Sequence, residues 1–153
     1  MSDSTVYLAG PIAHSDTAAS WREAVAQDLP AGVEARDPLA RFDARPSEIP
    51  IVDGKVAPMA DAVSVADIVE TDKHLLAESD GVLVGFESVR SAGTPMEVMW
   101  AHEREMPIVV WVRDGTPIDT ISPWYRYHAD VLTDARDVAL RALLRRLGGG
   151  SDE

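Results

Sequence analysis

The sequence predicts an α/β chain in which a mainly parallel five-stranded sheet lies between two layers of helices, in the flavodoxin-like or Rossmann-like manner. Residues 82–86 and 108–112 are short apolar runs with the length and β-branched content of buried strands. The segment between them reads as a helix with a visible start: Thr94 suits the N-cap, Pro95 the first helical position, and Glu97 follows Thr94 by three residues. Strand, loop, helix and strand make a unit that requires parallel pairing, which places the functional edge at the strand C-termini. The same alternation continues on both sides of this unit, as a layered α/β fold requires.

The elements follow in order. Residues 5–9 form a first strand that breaks at Gly10-Pro11. Residues 16–29 read as a helix capped by Asp16 or Ser15, with Trp21, Ala24, Val25 and Leu29 on one face. A second strand at 33–35 ends at Asp37-Pro38, and 38–60, with four prolines, has no period and reads as a long functional loop or lid. Residues 61–78 are a second long helix whose inner stripe is Val65, Ile68, Val69, Asp72, Leu75 and Leu76. The central unit comes next, then a connection containing Gly115, Pro117 and Ser122 to His128. A short edge strand at Val131-Leu132 follows, and a last helix at 134–147 turns Val138, Leu140, Ala142, Leu143, Leu144 and Leu147 inward. Residues 1–147 make one domain and 148–153 a polar tail.

Composition narrows the function. Of 153 residues, 26 are acidic and 14 are Lys or Arg, a formal net charge of −12, and Lys55 and Lys73 are the sole lysines. Such a surface repels a nucleic-acid polymer and is the kind expected of a protein working in high salt. Without cysteine there is neither a disulfide nor a thiolate metal site. No apolar run reaches membrane-spanning length and no leader pattern opens the chain, so the expectation is a soluble, cytoplasmic protein. His14, His74, His102 and His128 lack metal-ligand spacing, and neither a G-x-G-x-x-G turn nor a P-loop is present. No metal or organic cofactor is expected.

Several residues carry chemistry at the predicted edge. Glu97 either closes a capping box with Thr94 or stands as an ionised carboxylate at a helix start, suited to a nucleophile, with Gly93 letting a ligand approach the backbone. Asp72, inside an apolar stripe, must find a partner or line a cavity, where it would serve as a second acid. Tyr7 is either a strand aromatic or a phenol reaching the site. The Gly10-Pro11 and Asp37-Pro38 turns fall at the same edge. Asp80 reads as closing the turn into its strand. Trp124, Tyr125 and Tyr127 either line a base pocket or pack a subunit interface. Ser91 and Ser122, taken singly, are ordinary loop serines.

Together, Val6-Tyr7-Leu8-Ala9-Gly10-Pro11, Glu70-Thr71-Asp72 with Ser79-Asp80-Gly81, Ser91-Ala92-Gly93-Thr94-Pro95-Met96-Glu97 and the stretch from Ala101 to Ile108 resemble the nucleoside 2-deoxyribosyltransferase family, which includes the 2'-deoxynucleoside 5'-monophosphate N-hydrolases. The resemblance implies Glu97 as the nucleophile on C1' of the sugar, Asp72 as its assisting acid and Tyr7 beside them. From their place at the functional edge, Gly10, Pro11, Asp37 and Gly93 are expected to line the substrate. Where the transferases carry an Asp before the catalytic Glu and an Asn after it, this chain has Ser91 and Ser122. In the monophosphate hydrolases serines at these places hold the 5'-phosphate, the second reaching in from a neighbouring subunit. The resemblance therefore leans to a nucleotide N-glycosidase working as a homodimer or larger homo-oligomer, with base-exchanging transferase as the alternative. Gly93-Thr94-x-x-Glu97 is also similar to the cytokinin-type phosphoribohydrolases, but their double-glycine lead-in is missing. A non-catalytic nucleotide-binding module would have no need of both Glu97 and Asp72 at one pocket, and a structural subunit would lack a pocket at the strand C-termini.

Overall fold

The structure, a computed structural model, describes residues 4–12, 15–39, 51–52, 63–89, 91–113 and 115–147. Along the chain run β1 (Ser4–Ala9), α1 (Ala18–Asp28), β2 (Val33–Arg36), the two-residue strands β3 (Ile51–Val52) and β4 (Val63–Ser64), and α2 (Val65–Ala77). Then come β5 (Gly81–Phe86), α3 (Gly93–Glu103), β6 (Ile108–Val112), α4 (Pro123–His128), β7 (Val131–Thr133) and α5 (Arg136–Leu147). The main sheet has the order β2-β1-β5-β6-β7, and every neighbouring pair is parallel. The five-stranded α/β fold predicted from the sequence is present.

Each strand turns alternate residues to opposite layers. Val6, Leu8, Leu83 and Val109 pack with Trp21 and Val25 of α1 and Ala139 and Leu143 of α5. Tyr7, Ala9, Val82, Val84, Ile108 and Val110 pack with Leu76 of α2 and Val98 and Ala101 of α3. Burial on both faces is why the central strands are unbroken apolar runs rather than alternating ones. The N-terminal edge is closed by carboxylates. Asp80 accepts the Thr5 N–H at 2.8 Å, the turn-closing role expected of it, and Asp130 accepts the Ile108 N–H at 2.8 Å.

In the main sheet the chain leaves β1 for β2 on one side, while β5, β6 and β7 add on the other, so the topological switch lies between β1 and β5; β3 and β4 pair with each other apart from it. Ligands of open α/β sheets bind at the carboxyl end of such a switch. Here two glycines admit an indole. A Cβ on Gly85 would lie 2.5 Å from Trp21 Cζ2, and one on Gly10 would lie 2.8 Å from the Gly85 carbonyl oxygen. Trp21 thus fills the α1 face of the switch, and Tyr7 is left on the face covered by α2 and α3.

Several elements differ from the sequence reading. Helix α1 starts at Ala18, with Thr17 at its N-cap; Ser15 instead donates to Glu87 at 2.5 Å. Ala24 is exposed and Arg22 takes an inner position, because the buried stripe is Ala18, Trp21, Arg22 and Val25. Helix α2 begins at Val65, since Val63–Ser64 pairs with Ile51–Val52 instead, and Val69 faces outward. Helix α4, not anticipated, occupies the connection after β6. In α5 Leu140, Ala142, Leu143 and Leu147 pack inward as expected, while Ala139 is buried and Val138 is exposed. Most of 38–60, together with His14, Arg90 and the 148–153 tail, lies outside the described residues. No helix among the described residues is long and apolar enough to cross a membrane.

Candidate functional site

Tyr7 is fully buried at the end of β1 and donates its phenolic hydrogen to Glu97 Oε2 at 2.7 Å. This contact sets aside the capping-box reading of Glu97. A capping box would turn the carboxylate back to the backbone at the helix start, whereas here it meets a phenol 90 residues away in sequence. The box also lacks its frame, because α3 begins at Gly93 with Ala92 at the N-cap. Thr94 is buried inside the first turn, and Ser91 does the capping. Ser91 Oγ accepts the Thr94 N–H at 3.3 Å and lies 2.7 Å from Thr94 Oγ1.

The early start of α3 also corrects the expected charge on Glu97. No acidic residue falls in the first turn of α3, and the helix field fades beyond that turn. Burial dominates instead and pushes Glu97 up to about 7. The negative charge of Asp72 adds to the rise, while the Tyr7 hydrogen bond and the Arg22 cation oppose it. At neutral pH this carboxylate is poised between its two forms rather than held ionised. Tyr7 is held firmly protonated, first by burial and then by the charges of Glu97 and Asp72. Asp72, half-buried on α2, therefore acts on both members of the pair, and the structure brings together the three residues Tyr7, Asp72 and Glu97.

Two further residues belong here that the sequence reading missed or left open. Tyr125 of α4 packs edge-to-face on Phe86 at 5.1 Å between ring centroids, and burial together with the Glu97 charge raises it to about 12. It separates from Trp124 and Tyr127, which are 67% and 73% exposed. Arg22 has no exposed surface; it donates to the carbonyls of Leu8, Gly10 and Ala18 and lies 3.6 Å from Asp37 Oδ1. The signal for Arg22 was available: an arginine at the spacing of Ala18, Val25 and Leu29 sits in a core stripe.

The remaining candidates are placed as follows. Gly10 and Pro11 are buried at the end of β1, Gly10 with its carbonyl on Arg22. Asp37 pairs with Arg22 and accepts the Leu39 N–H at 2.9 Å, so its carboxylate is engaged by the protein itself. Gly93 opens α3 with nothing near the position of a Cβ, leaving room for a ligand against the backbone. Ser122 caps α4 by accepting the Trp124 N–H at 3.1 Å, and it is exposed. Beside the site, α3 and α4 border a cleft of about 500 Å³ lined by Met99, His102, Trp124, Tyr127 and His128. A smaller adjoining hollow reaches Pro95, Met96 and Tyr125. Across the C-terminal edge, Glu87 after β5 binds Arg113 after β6 at 3.3 Å. Among the described residues no three carboxylates or imidazoles gather as a metal site.

No family model matches the sequence, and no curated protein matches it. The fold does have a counterpart among solved structures. The chain is similar to the crystal structure of a conserved protein from Enterococcus faecalis V583, with a TM-score of 0.65 and 13% identity over 94% of this chain and 98% of that one. At this identity the likeness speaks for the fold. It agrees with the three-layer α/β arrangement and assigns no chemistry.

Proposed function

We propose that the protein breaks the N-glycosidic bond of nucleoside 5'-monophosphates, with Glu97 as the nucleophile. The observation that carries this reading is the Tyr7–Glu97 hydrogen bond with Asp72 beside it, at the carboxyl end of β1. Two carboxylates in unequal environments suit glycosyl transfer, in which one attacks and the other manages a proton. The ionised oxygen of Glu97 forms a bond to C1' as the bond from C1' to the base nitrogen breaks, and the departing base takes up a proton that Asp72 relays from water. Water then attacks C1' and gives a proton to the Asp72 carboxylate, the Glu97 ester bond breaks, and sugar 5-phosphate leaves. Tyr7 holds the other Glu97 oxygen and orients the carboxylate throughout.

The start of α3 suits the 5'-phosphate. Gly93 leaves the backbone open, the helix N-terminus favours an anion, and Ser91 would exchange its Thr94 contact for the phosphate. Ser122, capping α4 on the surface, would act in a neighbouring subunit. The exposed Met96, Met99, Trp124 and Tyr127 on α3 and α4 make a contiguous apolar face suited to that homodimer contact.

The test is a product assay in high salt on nucleosides, deoxynucleosides and their 5'-monophosphates, with and without a free acceptor base. Free base from the monophosphates supports the proposal. A new nucleoside formed when acceptor is present would make the protein a base-exchanging transferase. Binding without any product would make it a nucleotide-binding module.

A further inference from the structure

Arg22 poses a separate question. A full charge taken out of water is costly unless it is paired, and an apolar residue of similar size would join α1 to β1 without that cost. The guanidinium is instead spread over three backbone carbonyls and one carboxylate. Nη1 donates to Ala18 at 2.8 Å, Nη2 to Gly10 at 3.0 Å and Nε to Leu8 at 3.3 Å, with Asp37 Oδ1 at 3.6 Å. Leu8 follows Tyr7 directly, so this fork grips the stretch of β1 that aims the phenol. Asp37 ties the same group to the end of β2.

The charged and titratable groups facing Glu97 come from four elements: Tyr7 of β1, Asp72 of α2, Arg22 of α1 and Tyr125 of α4. Arg22 is the cation of this set, and it in turn faces Asp37 and Arg113. We propose that Arg22 is a positioning residue: it clamps the end of β1 so that Tyr7 stands opposite Glu97, and it presents Glu97 with the positive charge that its anion faces. The inference deepens the reading of Glu97 as the reacting carboxylate and rests on it for its catalytic meaning. Its physical content is independent of any substrate.

The experiment is a ¹³C NMR titration of the Glu97 carboxyl in labelled protein, assigned with Glu97→Gln, for the wild type, Arg22→Met and Arg22→Lys. Arg22→Met, which keeps the stem and drops the charge, is expected to move the Glu97 midpoint up by about one pH unit, cutting the ionised fraction at pH 7 about fivefold. Arg22→Lys is expected to restore most of the wild-type midpoint. A folded Arg22→Met with an unmoved midpoint, or a lysine variant behaving like the methionine one, overturns the proposal. If Arg22→Met does not fold, Asp37→Asn decides. Freeing Arg22 of its counter-charge is expected to lower the Glu97 midpoint, and no change overturns the clamp. A shifted midpoint in a protein inert toward every nucleoside and nucleotide would refute the nucleophile reading and leave the role of Arg22 standing. Normal turnover with no shift would do the reverse.

Discussion

Tyr7 and Glu97 share a 2.7 Å hydrogen bond across the junction of β1 and α3, and the same carboxylate is pushed up to about 7 by burial. The two facts pull in opposite directions. The phenol stabilises the anion, while the loss of water and the neighbouring Asp72 disfavour it. Burial wins, and the carboxylate is left ready to change form near neutrality.

The first prediction concerns the pH dependence of turnover. A nucleophilic Glu97 must be ionised, so kcat/KM should rise with pH through about 7 and then level, set by the free-enzyme carboxylate. A rate that falls through the same range would assign Glu97 as a general acid. Tyr7→Phe removes the bond that favours the anion, so the rising limb should move to higher pH. An unmoved limb would make the phenol a spectator.

Stability should respond with the opposite sign to activity. The folded-state value of Glu97 lies above its ordinary 4.5, so the folded protein holds this proton while the unfolded chain has lost it. Stability therefore declines as pH rises from about 4.5 to about 7 and is flat above. Glu97→Gln keeps an acceptor for Tyr7 and cannot ionise. It should abolish turnover while stabilising the fold at pH 8 by on the order of 2 kcal/mol. Urea denaturation at pH 5 and pH 8 measures both ends. A variant as stable as the wild type at each pH would mean that the carboxylate is well solvated, and one with near-normal rate would remove it from the chemistry.

Asp72→Asn separates charge from packing. Removing the anion should lower both the Glu97 and the Tyr7 titrations, since Asp72 raises each. If Asp72 also manages the leaving-group proton, kcat should fall by about 10²-fold or more, with KM little changed. Unchanged kinetics with shifted titrations would leave Asp72 as an electrostatic neighbour alone.

What the sequence made legible follows from how each feature is encoded. The sheet could be read because its strands are buried on both faces, which forces long apolar runs such as Gly81–Phe86. Glu97 and Tyr7 could be placed at one edge because strand polarity fixes where the β1 and β5 ends fall. The charge state of Glu97 could not, since it depends on packing by Tyr7, Asp72, Arg22 and Tyr125, which arrive from four other elements. Arg22 escaped notice because a search for apolar stripes passes over an arginine, although its spacing from Ala18 and Val25 is that of a core position. Helix α4 escaped because it has six residues, and its two inward members, Tyr125 and His128, are too few to show a period. Its start is set by one hydroxyl, that of Ser122 on the Trp124 N–H.

The two serines give the prediction that tells the substrate. Ser91→Ala and Ser122→Ala should each raise KM for a nucleoside 5'-monophosphate by about tenfold, the loss of one charge-assisted hydrogen bond. Nucleosides lacking the phosphate should be unaffected. An equal effect on both would refute phosphate binding and make the serines the helix caps they form in this chain. If Ser122 serves a neighbouring subunit, mixing Ser122→Ala with Glu97→Gln protein should return part of the activity in the mixed dimer.

The last prediction tests how the switch point is built. Trp21 lies against Gly10 and Gly85, and a methyl added at Gly85 would meet three indole carbons at 2.5 to 2.7 Å. Real Cβ atoms do not come so close, so the indole would have to withdraw from the β1–β5 junction. Trp21 also stands edge-to-face with Trp111 at 6.1 Å and under the Arg113 guanidinium at 5.3 Å, so its movement disturbs the α1 face as a unit. Gly85→Ala should cost about 1–3 kcal/mol by overpacking, read from denaturation followed by tryptophan fluorescence. Trp21→Phe in the same background should recover part of that loss, because the smaller ring leaves space for the methyl. If the alanine variant is as stable as the wild type, the glycines do not seat the indole, and the close approach of α1 to the switch point has another cause.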